Sequence, residues 1–212
     1  MIHVYGVVDR LADLPEVAGL DDAPLELVHV AGLDLVVNKA EPTAEISREA
    51  LLRHAEVVEE LMQASDAVLP AQLGRAFRDD AELEETVREQ APKLTRALQD
   101  VRGCVEFGLR AIPDEGPQDV EAASGVEYMH ARLGEMHRED SLVADLHEPL
   151  ARVARATTLH RRGGELNAAY LVAAEDVAEF RRAAAQVEAA PGVTVVCTGP
   201  WPPYSFATLE QP

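Results

Sequence analysis

Short strand-like runs alternate with stretches of helical periodicity along this chain, and their order constrains the fold more than any single motif. Runs rich in β-branched and aliphatic residues predict strands, because such side chains pack well on a pleated sheet. These runs cover 2–8, 25–30, 33–37, 66–70, 104–112, 154–161, 166–173 and 193–197. Apolar residues at helical spacing predict helices over 44–65, 79–101, 126–153 and 176–190.

The order of these elements favours one fold class. Three strands are followed by a helix, a strand, a helix and a strand, and then by helices, a hairpin, a helix and a last strand. Hairpins mixed with helices, rather than strict strand–helix–strand alternation, predict an α+β fold with antiparallel sheets. Each half follows the split β-α-β plan of ferredoxin-like sandwiches, with a mixed sheet and packed helices.

A linker divides the pattern into two domains. Residues 113–125 contain two prolines, two glycines and four acidic residues, a composition typical of loops. We expect an N-terminal α+β domain over 1–112 and a C-terminal α+β domain over 126–212, which ends in a Pro- and aromatic-rich tail, 199–212. Strand 104–112 lies next to the linker and could join either sheet.

Two of the helices contain signals for a break. Pro92 lies inside the second helix, where proline removes a hydrogen bond, so a kink or two helical pieces are expected. Asp140 and Ser141 lie inside the third helical stretch, and either residue could cap a new helix.

The charge balance argues against two classes of partner. The formal charge is −19, from 38 acidic and 19 basic side chains. Nucleic-acid backbones and anionic lipid surfaces both bind concentrated basic patches, so we expect neither nucleic acid nor a lipid membrane as a partner. The apolar runs are shorter than the roughly 18 residues of a membrane span, and the N-terminus lacks the pattern of a secretory signal. We therefore expect a cytoplasmic protein.

Catalytic motifs are missing from the sequence. Gly163 and Gly164 lack the lysine, the hydroxyl residue and the following helix of a phosphate-binding loop. Neither the Gly-x-Ser-x-Gly nor the His-Glu-x-x-His pattern occurs. Cys104 and Cys197 are too few and too far apart for a disulfide framework or a zinc ribbon, so we expect buried, reduced thiols. We expect no cofactor and no enzymatic activity.

A few histidines come closest to a metal or acid–base site. Glu127, His130 and His137 could share one helix face, with His147 further along. A ferritin-type site would also need carboxylates from other helices, so we interpret these residues as polar side chains exposed to water. We interpret His54, at the edge of the first long helix, as a hydrogen-bonded packing residue rather than a general base.

The segment Gly199-Pro200-Trp201-Pro202-Pro203-Tyr204-Ser205-Phe206 concentrates aromatic area near the C-terminus. It contains the single tryptophan and, since the chain has four tyrosines and four phenylalanines, three of nine aromatic residues. Proline fixes φ and lacks an N–H, so we expect that this segment neither continues a strand nor forms a helix. Three aromatic side chains carry on the order of 500 Å². Trp201, Tyr204 and Phe206 therefore either pack back onto the protein or form a surface that binds a partner.

These motifs together carry a family resemblance. The chain resembles the gas vesicle protein F/L family, with the tail as the most specific match. The matching segments are Val4–Val7, His54–Glu59 with Leu61 and Met62, Val68–Pro70, Gly74–Asp79, Val105–Gly108, Leu166–Val172 and Gly199–Phe206.

The resemblance implies a two-domain, non-enzymatic accessory protein of gas vesicle formation. Its expected partners are the small hydrophobic shell protein of the vesicle and other accessory proteins, and its expected location is the gas vesicle. A subunit that polymerises into a gas-impermeable wall exposes apolar surface before assembly, and a charged partner could cover that surface.

A rival hypothesis is a small-molecule-binding sensor or an enzyme, because ferredoxin-like scaffolds host many functions. Such a protein would need a convergent set of acid–base or nucleophilic residues, which the sequence does not display.

Overall fold

The computed structural model of the chain describes residues 1–39, 47–114, 124–162 and 164–207. Within the helix that follows residue 124, the side chains of residues 127, 128, 130–132, 135 and 137–139 lie outside this description. The described chain forms two compact units. Residues up to 104 and residues 201–207 make the first unit, and residues from 105 to 200 make the second. Each unit combines a β-sheet with helices, so the fold class is α+β.

The first unit contains five strands and two long helices. In chain order these are β1 (Ile2–Asp9), β2 (Glu26–Val30), β3 (Leu33–Lys39), α1 (Arg48–Ala64), β4 (Ala67–Pro70), β5 (Ala76–Phe77) and α2 (Asp80–Asp100). The strands lie in the order β2-β3-β1-β4, with β5 paired to β1. Neighbouring strands of this sheet run antiparallel.

Both helices of the first unit pack on β1 and β4. α1 begins after Ser47, whose hydroxyl oxygen accepts a hydrogen bond from the Ala50 amide at 3.0 Å. α2 begins after Asp79, whose carboxylate accepts from the Glu82 amide at 2.9 Å. Such caps satisfy amides that have no partner inside the helix. The apolar faces of strands and helix α1 then form a core of Tyr5, Val8, Leu25, Val36, Val57, Val58, Leu61 and Val68.

The described part of the second unit contains four strands, three α-helices and a π-helix. In chain order these are β6 (Cys104–Pro113), α3 (Gly125–Leu142), a π-helix (Val143–His147), α4 (Glu148–Ala151), β7 (Ala156–Arg162), β8 (Glu165–Ala173), α5 (Val177–Glu188) and β9 (Val193–Trp201). The strands lie in the order β7-β8-β6-β9, and β7 pairs with β8 antiparallel. The rings of Phe107 and Phe180 stack in its core with centroids 4.7 Å apart.

Two helical stretches continue where the sequence predicted divisions. α2 passes through Pro92 as a single helix, so of the two expected outcomes, a kink or two helical pieces, the second is wrong. Val87 and Leu94, on either side of the proline, are buried and hold the helix on the sheet. The expected new helix at Asp140 or Ser141 is also wrong. α3 runs on through the π-helix into α4, because Leu146 and Leu150 are buried in the core of the second unit.

The aromatic tail departs from its prediction in part. β9 extends through Gly199 and Pro200 to Trp201, so the expectation that this segment cannot continue a strand is wrong for these three residues. β9 is the last strand of its sheet, and edge strands tolerate the missing proline N–H. After the strand, Tyr204–Phe206 forms a single 3-10 turn.

Strand 104–112, which the sequence left open between the two sheets, is β6 of the second sheet. β6 lies between β8 and β9, and its hydrogen bonds to both strands determine where it belongs. The compact units therefore divide after Cys104 and before Trp201, whereas the sequence-based division uses the linker 113–125. Residues 115–123 of that linker lie outside the described residues.

Candidate functional site

Tyr204, in the C-terminal tail, is half-buried and packs on the core of the first unit. Its ring lies against the core cluster that includes Tyr5 and Leu25. Burial raises the pKa of the Tyr204 phenol to about 12, and the negative charge of Glu59 acts in the same direction. Pro202 and Pro203, which precede Tyr204, are buried as well. This part of the tail is packed as an element of the first unit.

Trp201 lies in more open surroundings than the other two aromatic residues of the tail. It keeps 46% of its surface exposed, whereas Tyr204 and Phe206 are half-buried. Tyr204 packs on the core of the first unit, and Trp201 presents an aromatic surface to solvent.

A buried polar network lies beside the Tyr5 ring, and sequence analysis did not predict it. Nε2 of His3 lies 3.0 Å from Nδ1 of His54, and Nε2 of His54 lies 2.8 Å from the Ala71 carbonyl oxygen. The Tyr5 hydroxyl donates to Oδ1 of Asn38 at 3.1 Å. The four side chains are buried, with His54 only 2% exposed.

The partners of this network determine its proton positions. The Ala71 carbonyl can only accept, so His54 carries its proton on Nε2 and its bare Nδ1 accepts from Nε2–H of His3. Burial, and to a smaller extent the neighbouring His54, lower the pKa of His3 to about 4. Burial also lowers the pKa of His54. Both histidines are neutral at pH 7.

The same network ties the loop after β1 to the sheet. The Leu20 amide donates to the Tyr5 hydroxyl at 2.7 Å, and Nδ2 of Asn38 donates to the Leu20 carbonyl at 2.8 Å. The two sets of hydrogen bonds meet through ring contact, since the Tyr5 and His54 rings stack with centroids 5.2 Å apart. Together they join β1, β3, α1, the residue after β4 and this loop. Their groups are neutral and hydrogen-bonded, so the arrangement stabilises structure rather than activating a substrate.

The second unit has a smaller buried pair. Nδ1 of His147 lies 2.9 Å from the Tyr170 hydroxyl. Burial lowers the pKa of His147 and raises the pKa of Tyr170. Cys104 is a buried free thiol and Cys197 a half-buried one. Burial raises the pKa of Cys197 to about 12, which opposes a nucleophilic role.

Only one of the four residues in the predicted polar cluster on the third helix, His147, has a described side chain. Glu127, His130 and His137 belong to α3 by backbone, but their side chains lie outside the described residues. His147 is buried against Tyr170 instead of facing solvent. Within the described part of the chain, no group of three or more His, Cys, Asp or Glu side chains could hold a metal ion.

α3 also presents an apolar stripe that the sequence analysis did not single out. Val126, Met129, Leu133 and Met136 are 67%, 57%, 46% and 51% exposed. Their spacing of three, four and three residues places them on one side of a helix. The sequence shows this spacing, but the same spacing occurs on buried and on exposed helix faces, so it does not predict exposure.

Comparison with known proteins identifies the family. The model of the family described as "Gas vesicle synthesis protein GvpL/GvpF" matches residues 1–208. The chain belongs to this family. Gas vesicle protein L of Streptomyces sp. (strain CB03234) is 32% identical to it over 99% of this chain and 93% of the relative. Gas vesicle protein F of Haloferax mediterranei is 26% identical over 99% and 94% of the two chains.

Solved structures of family members share the fold. The crystal structure of GvpF from Anabaena sp. PCC7120 superposes with a TM-score of 0.80 at 18% identity, over 99% of this chain and 97% of that one. GvpF from Microcystis aeruginosa gives a TM-score of 0.79 at 19% identity, over 98% and 99% of the two chains. Among the described residues, none of the helices combines the length and the apolar character needed to cross a bilayer. Membership of this family supports an accessory role in gas vesicle formation.

Proposed function

We propose that this chain is a non-enzymatic accessory protein that binds the gas vesicle shell subunit, and other accessory proteins, while the vesicle wall assembles. The observation that carries the proposal is the family match over residues 1–208. The proposed place of action is the gas vesicle and the surrounding cytoplasm.

The charge of the chain supports this role physically. Shell subunits that polymerise into a wall expose apolar surface beforehand, and such surface aggregates when it is left uncovered. A partner with a net charge of −19 repels its own copies, so complexes that carry it on their surface stay apart. The chain therefore has the charge expected of a protein that transiently covers the apolar surface of an aggregation-prone subunit.

The buried histidines support a non-enzymatic role. His3 and His54 are buried histidines of the first unit, and both are neutral and enclosed. Their hydrogen bonds go to each other and to the Ala71 carbonyl. A general base must instead reach the proton that it removes from a substrate.

We further propose ferredoxin-like character for the second unit. Its element order, β6-α3-β7-β8-α5-β9 with the short α4 after α3, supports a split β-α-β plan. For the tail, we propose that Tyr204 locks the C-terminal segment onto the first unit and that the exposed Trp201 contributes to partner contact.

Deletion of the gene from a vesicle-forming host tests the accessory role. The deletion strain should lose buoyant vesicles while transcription of the shell protein is unchanged, and a plasmid copy of the wild-type gene should restore them. Normal, buoyant vesicles in the deletion strain would overturn the proposal.

A further inference from the structure

The exposed apolar stripe of α3 consists of Val126, Met129, Leu133 and Met136. At 3.6 residues per turn these positions lie within roughly 80° of one another around the helix, along a length of about 15 Å. Together they expose on the order of 400 Å², comparable with the largest apolar patch of a typical monomer. Apolar patches of this size are often functional.

The stripe belongs to a helix that is anchored at its other end. Beyond α3, Leu146 and Leu150 are buried in the core of the second unit. Asp140, on the same side of α3 as the stripe, is exposed and pairs with Arg161 at 3.4 Å. The helical run is thus fixed to the sheet by its C-terminal part, while its N-terminal part offers an apolar face to solvent.

The net charge of the chain, −19, indicates the charge of the partner. An acidic protein attracts apolar segments that are flanked by basic side chains and repels acidic ones. Two of the four stripe residues are methionines, whose flexible side chains adapt to differently shaped apolar partners.

A second copy of this chain fits the stripe poorly. Two copies would bring two chains of charge −19 against each other. The occupant is therefore another protein.

We infer that the stripe docks an amphipathic helix of the unpolymerised shell subunit, one with an apolar face and basic side chains beside it; this inference rests on the proposed function. A helix of that kind pairs its apolar residues with positions 126, 129, 133 and 136, as amphipathic helices do when they bind through residues three and four apart. The negative charge of this chain then attracts the basic side chains of that helix.

The test measures binding to the shell subunit held monomeric by fusion to a solubilising domain. The test variant is Met129→Gln with Leu133→Gln, which removes apolar contact and keeps helix propensity and charge. The matched control is Leu51→Gln with Leu52→Gln on α1, where the two leucines are 52% and 60% exposed. Both variants should have the same melting temperature as the wild-type protein, since the replaced side chains are exposed.

We expect the stripe variant to bind at least tenfold more weakly than wild type, and the control variant to bind within about twofold of it. Equal binding by wild type, stripe variant and control would overturn the inference and leave the proposed function standing. Failure of the wild-type protein to bind the shell subunit would overturn both. A wild-type dimer in solution that the stripe substitutions dissociate would overturn the inference, because the stripe would then join copies of this chain.

Discussion

Nε2 of His3 donates a hydrogen bond to Nδ1 of His54 over 3.0 Å, in the interior of the first unit. The two residues lie 51 positions apart in the sequence, on β1 and α1. Because His54 donates its Nε2 proton to the Ala71 carbonyl, its Nδ1 must be unprotonated to accept from His3, so this hydrogen bond requires a neutral His54 ring. Protonation of His54 would break the bond, and protonation of His3 would place a charge in the interior, which links the stability of the fold to pH.

We predict that the free energy of unfolding decreases as the pH falls from about 6.5 to about 4. His3 has a pKa of about 4 in the folded protein and its usual value of 6.5 when unfolded, so the unfolded chain binds more protons in this window. The stabilisation is complete above pH 6.5 and is lost progressively below it, by about 3 kcal/mol for His3 in all. The lowered pKa of His54 acts in the same direction. Urea unfolding at pH 7 and pH 4.5 measures the loss.

Two variants separate this effect from general acid denaturation. His3→Gln removes the titrating group and keeps a donor for His54, so its stability should depend less on pH than that of wild type. His29→Gln, at an exposed histidine, makes the same replacement outside the core and serves as the matched control. An identical pH dependence in wild type and His3→Gln would contradict the assignment.

The tail aromatics should differ in their effect on stability. Tyr204→Ala should lower the free energy of unfolding by about 2–3 kcal/mol, because the ring packs on the core of the first unit. Trp201→Ala should cost about 1 kcal/mol or less, since this residue is about half exposed. Denaturant titration of the two variants measures both values, and a larger loss for Trp201→Ala would refute the assignment of Tyr204 as the anchor.

Gly199 should tolerate no side chain. A Cβ atom there would lie 2.7 Å from the Glu106 carbonyl oxygen, and its φ of +117° disfavours other residues. Gly32 is a matched control with a φ of +82° and no atom within 4 Å of its added Cβ. We expect Gly32→Ala to cost about 1 kcal/mol and Gly199→Ala clearly more. Equal melting temperatures for the two variants would show that β9 can move away from Glu106.

Removal of metal ions should leave the protein unchanged. Chelation should not alter the melting temperature, and nucleotide hydrolysis by the purified protein should stay at background. The reason is the lack of a metal-binding cluster among the described residues and of a phosphate-loop motif in the sequence. A stoichiometric metal bound through Glu127, His130 and His137, with loss of folding on chelation, would be the contrary result.

The sequence predicts the elements of this fold better than their ends. Periodicity and turn residues locate the helices and strands, because these signals are local. The course of the chain at Pro92 and at Pro200 depends on tertiary context, since Val87 and Leu94 hold α2 on its sheet and β9 lies at the edge of another. Local signals alone would divide the helix at Pro92 and end the strand before Pro200, and the packing of distant residues overrides these signals.

The candidate site could be predicted less well. The pairing of His3 with His54 depends on the packing of α1 against β1, and a separation of 51 residues leaves no local signal. The stripe on α3 has a readable period, but the same period describes helix faces that are buried, as in α1 and α2. The sequence does not reveal that Met129 and Leu133 are exposed, because exposure depends on which elements pack against α3 in the folded protein.

The most direct measurement of the central claim follows the shell subunit when it is diluted out of denaturant. Light scattering then reports its aggregation with and without this protein. We predict that an equimolar amount suppresses the scattering, that an unrelated acidic protein does not, and that the suppressed fraction contains a complex of the two chains. Scattering that is unchanged by an excess of this protein would contradict the claim that it covers the shell subunit before assembly.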